Sequence, residues 1–376
     1  MQIFGKATRI IAIISKTISS DVLTALKKSG LSHVEMYTGR APVLKGKQGL
    51  FSIFSSAPLL VNDSMEVFSI VVNPEIEDNV VNLIIKSGKL YNPGRGTVYC
   101  EDVDLVKDNE LFDENKNCVL TGEQCHIYSK LAGICCIVQR GQGDAIARVV
   151  LDTGISVPSI FFGIGTGIRD KLGLLRITIP AEKEIIKFVT NSYDVDEVMN
   201  MMIDTGRIDQ PGKGFIYIYN IKKGLVNTKV IHGAERSAAS IEQIIMALDE
   251  LKGGIEWRRR EKIYEEGSII KKTFLNKCVD LTIICNEGRS TDLVNESMAA
   301  GASGATIIKF KHVNLINTEH NNVSPARESC SMIIPETQVN DIVNVLDKTN
   351  AFDKASQGYI IIRPVPKAFT YRVSKK

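Results

Sequence analysis

Aromatic residues make up only 6% of the sequence, too few to stack bases along a nucleic-acid surface. Neither sign of charge dominates. Against 46 Lys and Arg stand 43 Asp and Glu, a formal net charge of +3, so the balance does not demand a nucleic-acid partner. No apolar run reaches the roughly 18 residues that a membrane-spanning helix needs. The short N-terminal run Ile10–Ile14 is broken by Lys16 and lacks a small-residue cleavage site, so a signal peptide is not expected and a cytoplasmic location is. The five histidines are scattered, and no H-E-x-x-H, G-x-S-x-G or Walker A pattern occurs. No nucleophile–base pair or carboxylate dyad stands at an interpretable spacing. No catalytic residue is therefore assigned, and an enzyme is not expected. Slow ATP hydrolysis beside a metal is the catalytic alternative.

Eight cysteines in a chain this long do not read as a disulfide framework. Cys135 and Cys136 are adjacent on an expected strand and point to opposite faces. Cys118 and Cys125, with His126 beside the second, lack the close paired spacing of a zinc site. Reduced thiols and no metal are expected.

At 376 residues and 44% hydrophobic composition, the chain can bury two or three cores. It also repeats itself. Three stretches open with an apolar strand: Arg9–Ser15, Gly133–Gln139 and Val279–Cys285. An amphipathic helix follows each and stops at a glycine, Gly30, Gly154 or Gly301, where a left-handed residue closes a helix. A second strand, a loop, a third strand, a second helix and a fourth strand complete each copy. This is the ferredoxin-like βαββαβ order. The fold class expected is α+β, with repeats at 7–106, 131–226 and 278–373. Residues 107–130 form a linker. Residues 227–277 form a longer one, with a helix expected at Ser240–Leu251 and a basic run at Trp257–Arg260. Helices on one face of each sheet leave the other apolar face uncovered. Three copies packed as an intramolecular pseudo-trimer would cover one another; three independent beads are the alternative.

Copies 1 and 2 share a loop before the last strand. Ser87–Gly96 reads SGKLYNPGRG and Thr205–Gly214 reads TGRIDQPGKG. Glycines let backbone N–H groups approach an anion, and Arg95 or Lys213 supplies charge, as in a phosphate cradle. A tight turn into a strand would use the same Pro-Gly. Copy 3 keeps only Gly358 there. A second glycine cluster follows each second strand, Gly39-Arg40 in copy 1 and Gly163-x-Gly165-x-Gly167 in copy 2.

With these loops, the helix-stop glycines and the repeated element order, the chain resembles the PII signalling family, in its nitrogen-regulatory and broader PII-like branches, as three tandem copies. The resemblance implies that one chain is equivalent to a family trimer. It also implies adenine-nucleotide binding (ADP, ATP or AMP, with or without Mg2+) in the clefts between copies. The function implied is regulation of a protein partner, either a membrane transporter or a metabolic enzyme, with nitrogen metabolism as the family's setting. No cofactor is required and no nucleic acid is bound. By this resemblance Gly94, Arg95, Gly96, Gly212, Lys213 and Gly214 hold phosphates. Gly39, Arg40, Gly163, Gly165 and Gly167 stand at the base of a mobile loop beside them. The neighbour's Gly304-Ala305-Thr306 holds the base, with Ser159 as the substitute in copy 2. The losses are complementary, so one or two of the three clefts are expected to bind, the best pairing the copy 2 loop with Thr306. Family arginines past the last strand are missing, which favours ADP or AMP over a triphosphate. The long copy 1 loop, through Phe51, Ile53 and Phe54, is expected to meet the partner. A ferredoxin-like module that binds another small molecule, or only assembles, is the competing reading.

Overall fold

In the computed structural model, residues 5–45, 59–107, 115, 124–167, 182–227, 231–232, 251, 272–316 and 323–371 are described. The expected partner residues Phe51, Ile53 and Phe54, the 240–251 helix except Leu251, and the basic run at 257–260 lie outside them. Among the described residues, no helix is long and apolar enough to cross a membrane.

The same element order occurs three times. The first run is β1 Gly5–Ser15, α1 Ser19–Lys28, β2 His33–Lys45, β3 Leu59–Val72, α2 Glu77–Gly88 and β4 Gly96–Lys107. The second is β5 Leu131–Gln139, α3 Gly143–Asp152, β6 Ser159–Gly167, β7 Glu182–Asn191, α4 Val195–Gly206 and β8 Gly214–Ile221. Two short strands follow it, β9 Lys223–Leu225 and β10 Ile231–His232. The third is β11 Cys278–Asn286, α5 Ser290–Ala299, β12 Gly304–Asn314, β13 Ala326–Pro335, α6 Val339–Lys348 and β14 Tyr359–Val365, extended by β15 Lys367–Thr370. Within each run the strands lie in the antiparallel order second, third, first, fourth. Gly30, Gly154 and Gly301, which follow the first helices, have φ of 88°, 71° and 114°.

The first hairpin is longer than the residue pattern suggests. β2 and β3 stay paired from Glu35↔Ser69 out to Lys45↔Leu59, so much of the stretch read as a loop after Gly39 is strand. Val43 and Leu44 are buried on it, and their burial holds the ladder together where the local sequence shows no strand alternation.

First strands are buried almost end to end because both faces are covered. Ile10, Ala12 and Ile14 pack under α1 and α2, whereas Ile11 and Ile13 join a second core on the opposite face. The second run repeats this division. Ile134, Cys136 and Val138 face its helices, and Cys135 faces the shared core. That shared core draws Tyr99 from the first run, Phe161 and Tyr219 from the second, and Val365 and Ala368 from the third. Each fully buried aliphatic or aromatic side chain contributes about 1.5–3 kcal/mol.

Among the described residues, the runs are also hydrogen-bonded to one another in a fifteen-stranded sheet. The end of β4 pairs with β14 (Val106↔Ile360), β15 pairs with β8 (Ala368↔Tyr217), and β9 pairs with β4 (Gly224↔Tyr99). The first run thus lends an extension to the third, the third to the second and the second to the first. The three second strands meet as well, through Val313↔Val34, Thr306↔Gly165 and Arg40↔Ile160.

Candidate functional site

The two matching loops fold alike, hydrogen bond for hydrogen bond. After α4, Arg207 takes a left-handed conformation (φ 48°) and Ile208 N–H donates to Ile203 O at 3.0 Å. Gln210 N–H then donates to Arg207 O, and Lys213 N–H to Gln210 O. After α2, Lys89 (φ 49°), Leu90, Asn92 and Arg95 repeat these bonds in order. The last glycine of each loop has a packing reason: a Cβ at Gly214 would lie 2.6 Å from Ile137 O. The Pro-Gly-cation-Gly motif therefore has a complete explanation as a turn into a strand. What distinguishes the loops is what faces them.

The copy 2 loop faces an open cleft of about 520 Å3. Gly212, Gly214 and Phe215 form one wall; Gly165, Thr166 and Gly167 of β6 form another; Ser303, Gly304, Ala305 and Thr306 of the third run stand across from them. Lys183, Ser331 and Tyr371 also line it. Lys213 belongs to the turn and is not among the lining residues. Residues from two runs meet here, among them Gly212 and Gly214, Gly165 and Gly167, and Gly304–Thr306 of the expected contacts; Gly163, like Lys213, is not part of the lining. The glycines of β6 also serve the ladder itself. A Cβ at Gly163 would come within 2.9 Å of Ile307 O, and Thr166 Oγ1 donates to Ala305 O at 3.3 Å.

The copy 1 loop faces the second run, as its counterpart faces the third, but the junction is filled from within. Gly94 N–H donates to Asn227 Oδ1 at 3.1 Å. Asn227 N–H donates to Thr97 Oγ1 at 2.9 Å, and its carbonyl accepts from Val157 N–H at 3.1 Å. Gly96 begins β4 and Arg95 O accepts from Ser15 N–H. Ser159 is buried at the start of β6.

The copy 3 loop is closed by side chains. Arg327, 2% exposed, donates to Asn286 Oδ1 and Gln357 O, and Asn286 Nδ2 donates to Ala355 O at 2.8 Å. Gly39 and Arg40 sit in the middle of β2 and not at a loop base. Gly39 packs against the Phe161 ring. Arg40 bonds Asp144, Glu184 at 2.9 Å and Asn62 at 2.8 Å. Its charge is committed to two carboxylates of the second run, so it is not poised toward a phosphate.

Sequence reasoning missed a buried charge cluster on the shared face. Arg363 donates to Asp280 (2.8 Å) and Glu101 (2.6 Å), and its guanidinium lies 4.1 Å from the Tyr219 ring centroid. Burial alone would raise the Asp280 carboxyl. The Arg363 charge, with hydrogen bonds from Ser331 and Thr282, holds it below the ordinary carboxylate value. Burial pushes Tyr217 well above its usual value, and nearby Asp280 adds to that. The available signal was a charge within an apolar strand, in RIIAIIS, VDLTIIC and YIIIR.

No family model matches the chain. Ribosome-binding factor A of Borrelia garinii subsp. bavariensis is 26% identical over 110 residues, spanning 26% of this chain and 92% of that protein. The Borreliella burgdorferi protein of the same name gives the same figures. Among solved structures, Arabidopsis thaliana PII bound to citrate overlays at 20% identity, covering 31% of this chain and 94% of that one, with a TM-score of 0.22. A Physcomitrella patens BBE-like 1 variant covers 88% of this chain and 56% of its own at 8% identity and a TM-score of 0.17. At these scores neither overlay bears on function. The ferredoxin-like order rests on the strands of this chain.

Proposed function

We propose that this chain is a PII-like regulatory protein in which three ferredoxin-like runs stand in for three subunits, and that it binds one adenine nucleotide in the cleft between Gly212–Gly214 and Gly304–Thr306. The observation that carries the reading is that cleft. A glycine turn of one run and the Thr306 strand of the next face each other across about 520 Å3, within the size range of small-molecule sites. The circuit of strand exchange among the runs supports the pseudo-trimer. Backbone N–H groups near Gly212 and the Lys183 ammonium are the groups suited to phosphate oxygens. Among the described residues Lys183 is the one cation lining the wall, which favours ADP or AMP over ATP. Occupancy would be read by a protein partner, and the chain itself would perform no chemistry.

Calorimetric titration with ADP, AMP and ATP, with and without Mg2+, tests this. One site per chain is expected, with ATP weakest. Thr306→Val, which removes one neutral hydrogen-bonding group, should weaken binding by about 5–10-fold. Three equal sites, or none, would refute the proposal.

The competing reading, a ferredoxin-like module for another small molecule, draws on the copy 1 loop. There the same glycine turn is satisfied by Asn227, so the motif does not require a phosphate. Silence toward nucleotides with a signal from an amino acid or 2-oxoglutarate would favour it.

A further inference from the structure

Where the three runs meet, their strands line a small, partly open cavity of about 50 Å3, more than the roughly 10–15 Å3 that a single water needs. Thr306 and Ser331 border both this cavity and the 520 Å3 cleft, so the two spaces are separate neighbours. The charged lining comes from every run: Arg9 and Glu35 from the first, Lys187 from the second, Asp280 and Arg363 from the third.

These charges are unequally matched. Arg363 has two carboxylates, Glu101 and Asp280. Asp280 is saturated: Oδ1 accepts from Thr282 and Ser331, and Oδ2 from Tyr217 and Arg363. Glu35 accepts from the Tyr359 hydroxyl. Glu101 retains one buried oxygen, Oε2, without a hydrogen-bond partner among the described residues, and does not line the cavity.

Arg9 and Lys187 stand apart. Among the described residues, neither has a carboxylate within 4.0 Å. Arg9 is 8% exposed, and its one side-chain hydrogen bond runs from Nε to Ser69 Oγ at 3.2 Å. That leaves both Nη groups without a protein acceptor among the described residues. Among the described residues, Lys187 Nζ has a 3.4 Å contact to the Tyr37 hydroxyl and the Phe161 ring at 5.7 Å. Arg9 is buried and Lys187 half-buried, and the Glu101 and Glu35 charges offset the burial of Arg9, but donors of both cations remain unused. A single small anion between them would accept from both.

We propose that this cavity is a binding site for a small monovalent anion of halide size, held between the Arg9 guanidinium and the Lys187 ammonium. The volume accommodates a halide with a water and is too small for a nucleotide phosphate with its ribose. The site stands whether or not the neighbouring cleft binds adenylate.

Crystals of the full chain soaked in sodium bromide, with data collected at the bromine edge, test the assignment directly. An anomalous peak between Arg9 and Lys187 is the expected result. Water density with no anomalous peak there overturns it. In solution, bromide should raise the melting temperature by about 2 °C or more over gluconate at equal ionic strength, because gluconate is too large to enter. Lys187→Met should lose that difference. An equal response of wild type to both salts counts against the site, and this readout needs no variant to fold.

Discussion

Arg363 on β14 and Glu101 on β4 form an ion pair of 2.6 Å across two runs, with side chains 6% and 2% exposed. The pair sits in a register that all three runs share. Arg9 opposes Glu101, Gly133 opposes Tyr219 and Asp280 opposes Arg363. Identical subunits around an axis would bring three copies of one side chain together there, and like charges would repel. The three runs instead carry a cation, an aromatic ring and acids at these equivalent positions, and the charges pair.

Removing the centre of that cluster should be costly. Arg363→Met leaves Glu101 and Asp280 buried without their cation, and a loss of about 3–5 kcal/mol is expected. Adding Glu101→Gln and Asp280→Asn to the same variant should recover part of it. Denaturant titration measures both; a single-variant loss below about 1 kcal/mol would contradict the assigned role.

Glycines of the cleft separate structure from binding. Gly214→Ala places a methyl 2.6 Å from the Ile137 carbonyl, and destabilisation of about 1–3 kcal/mol is expected. Gly167→Ala meets only Ser303 O at 3.8 Å, yet Gly167 lines the cleft. Its melting temperature should match wild type while nucleotide affinity falls several-fold. Unchanged affinity in Gly167→Ala would place the ligand elsewhere.

His312 makes stability depend on pH. Burial, reinforced by the Arg327 charge, pushes its imidazole down to about 4, whereas an unfolded histidine titrates near 6.5. Between those values the unfolded chain binds a proton that the folded chain does not. Stability is therefore retained above pH 6.5 and falls as pH drops toward 4, by about 2–3 kcal/mol from this residue. His312→Gln should flatten that part of the profile. An identical slope in the variant would show that the ring is protonated in the fold.

The element order was legible because its signals are local. Apolar strands, amphipathic helices and positive-φ stops are set by neighbours within a few residues, and Pro-Gly-cation-Gly turned out to be one turn used twice. Gly212, Gly214 and Gly304–Thr306 line one cleft, a neighbourhood that the family resemblance implied and local periodicity did not. The closure of the other two junctions was not legible. Asn227 accepts from Gly94 and Arg327 donates to Gln357, and nothing near either residue announces its partner. Arg40 looked like a loop-base cation until Glu184 and Asp144 took its charge.

Local periodicity in the chain determined three copies of one motif and the turns that end their helices, since backbone preference and side-chain alternation act over short separations. Tertiary structure alone decided which cleft stays open, which strands cross between runs and where the buried charges find partners. Those outcomes depend on groups scores to hundreds of residues apart, brought together when each sheet covers its apolar face with the other two.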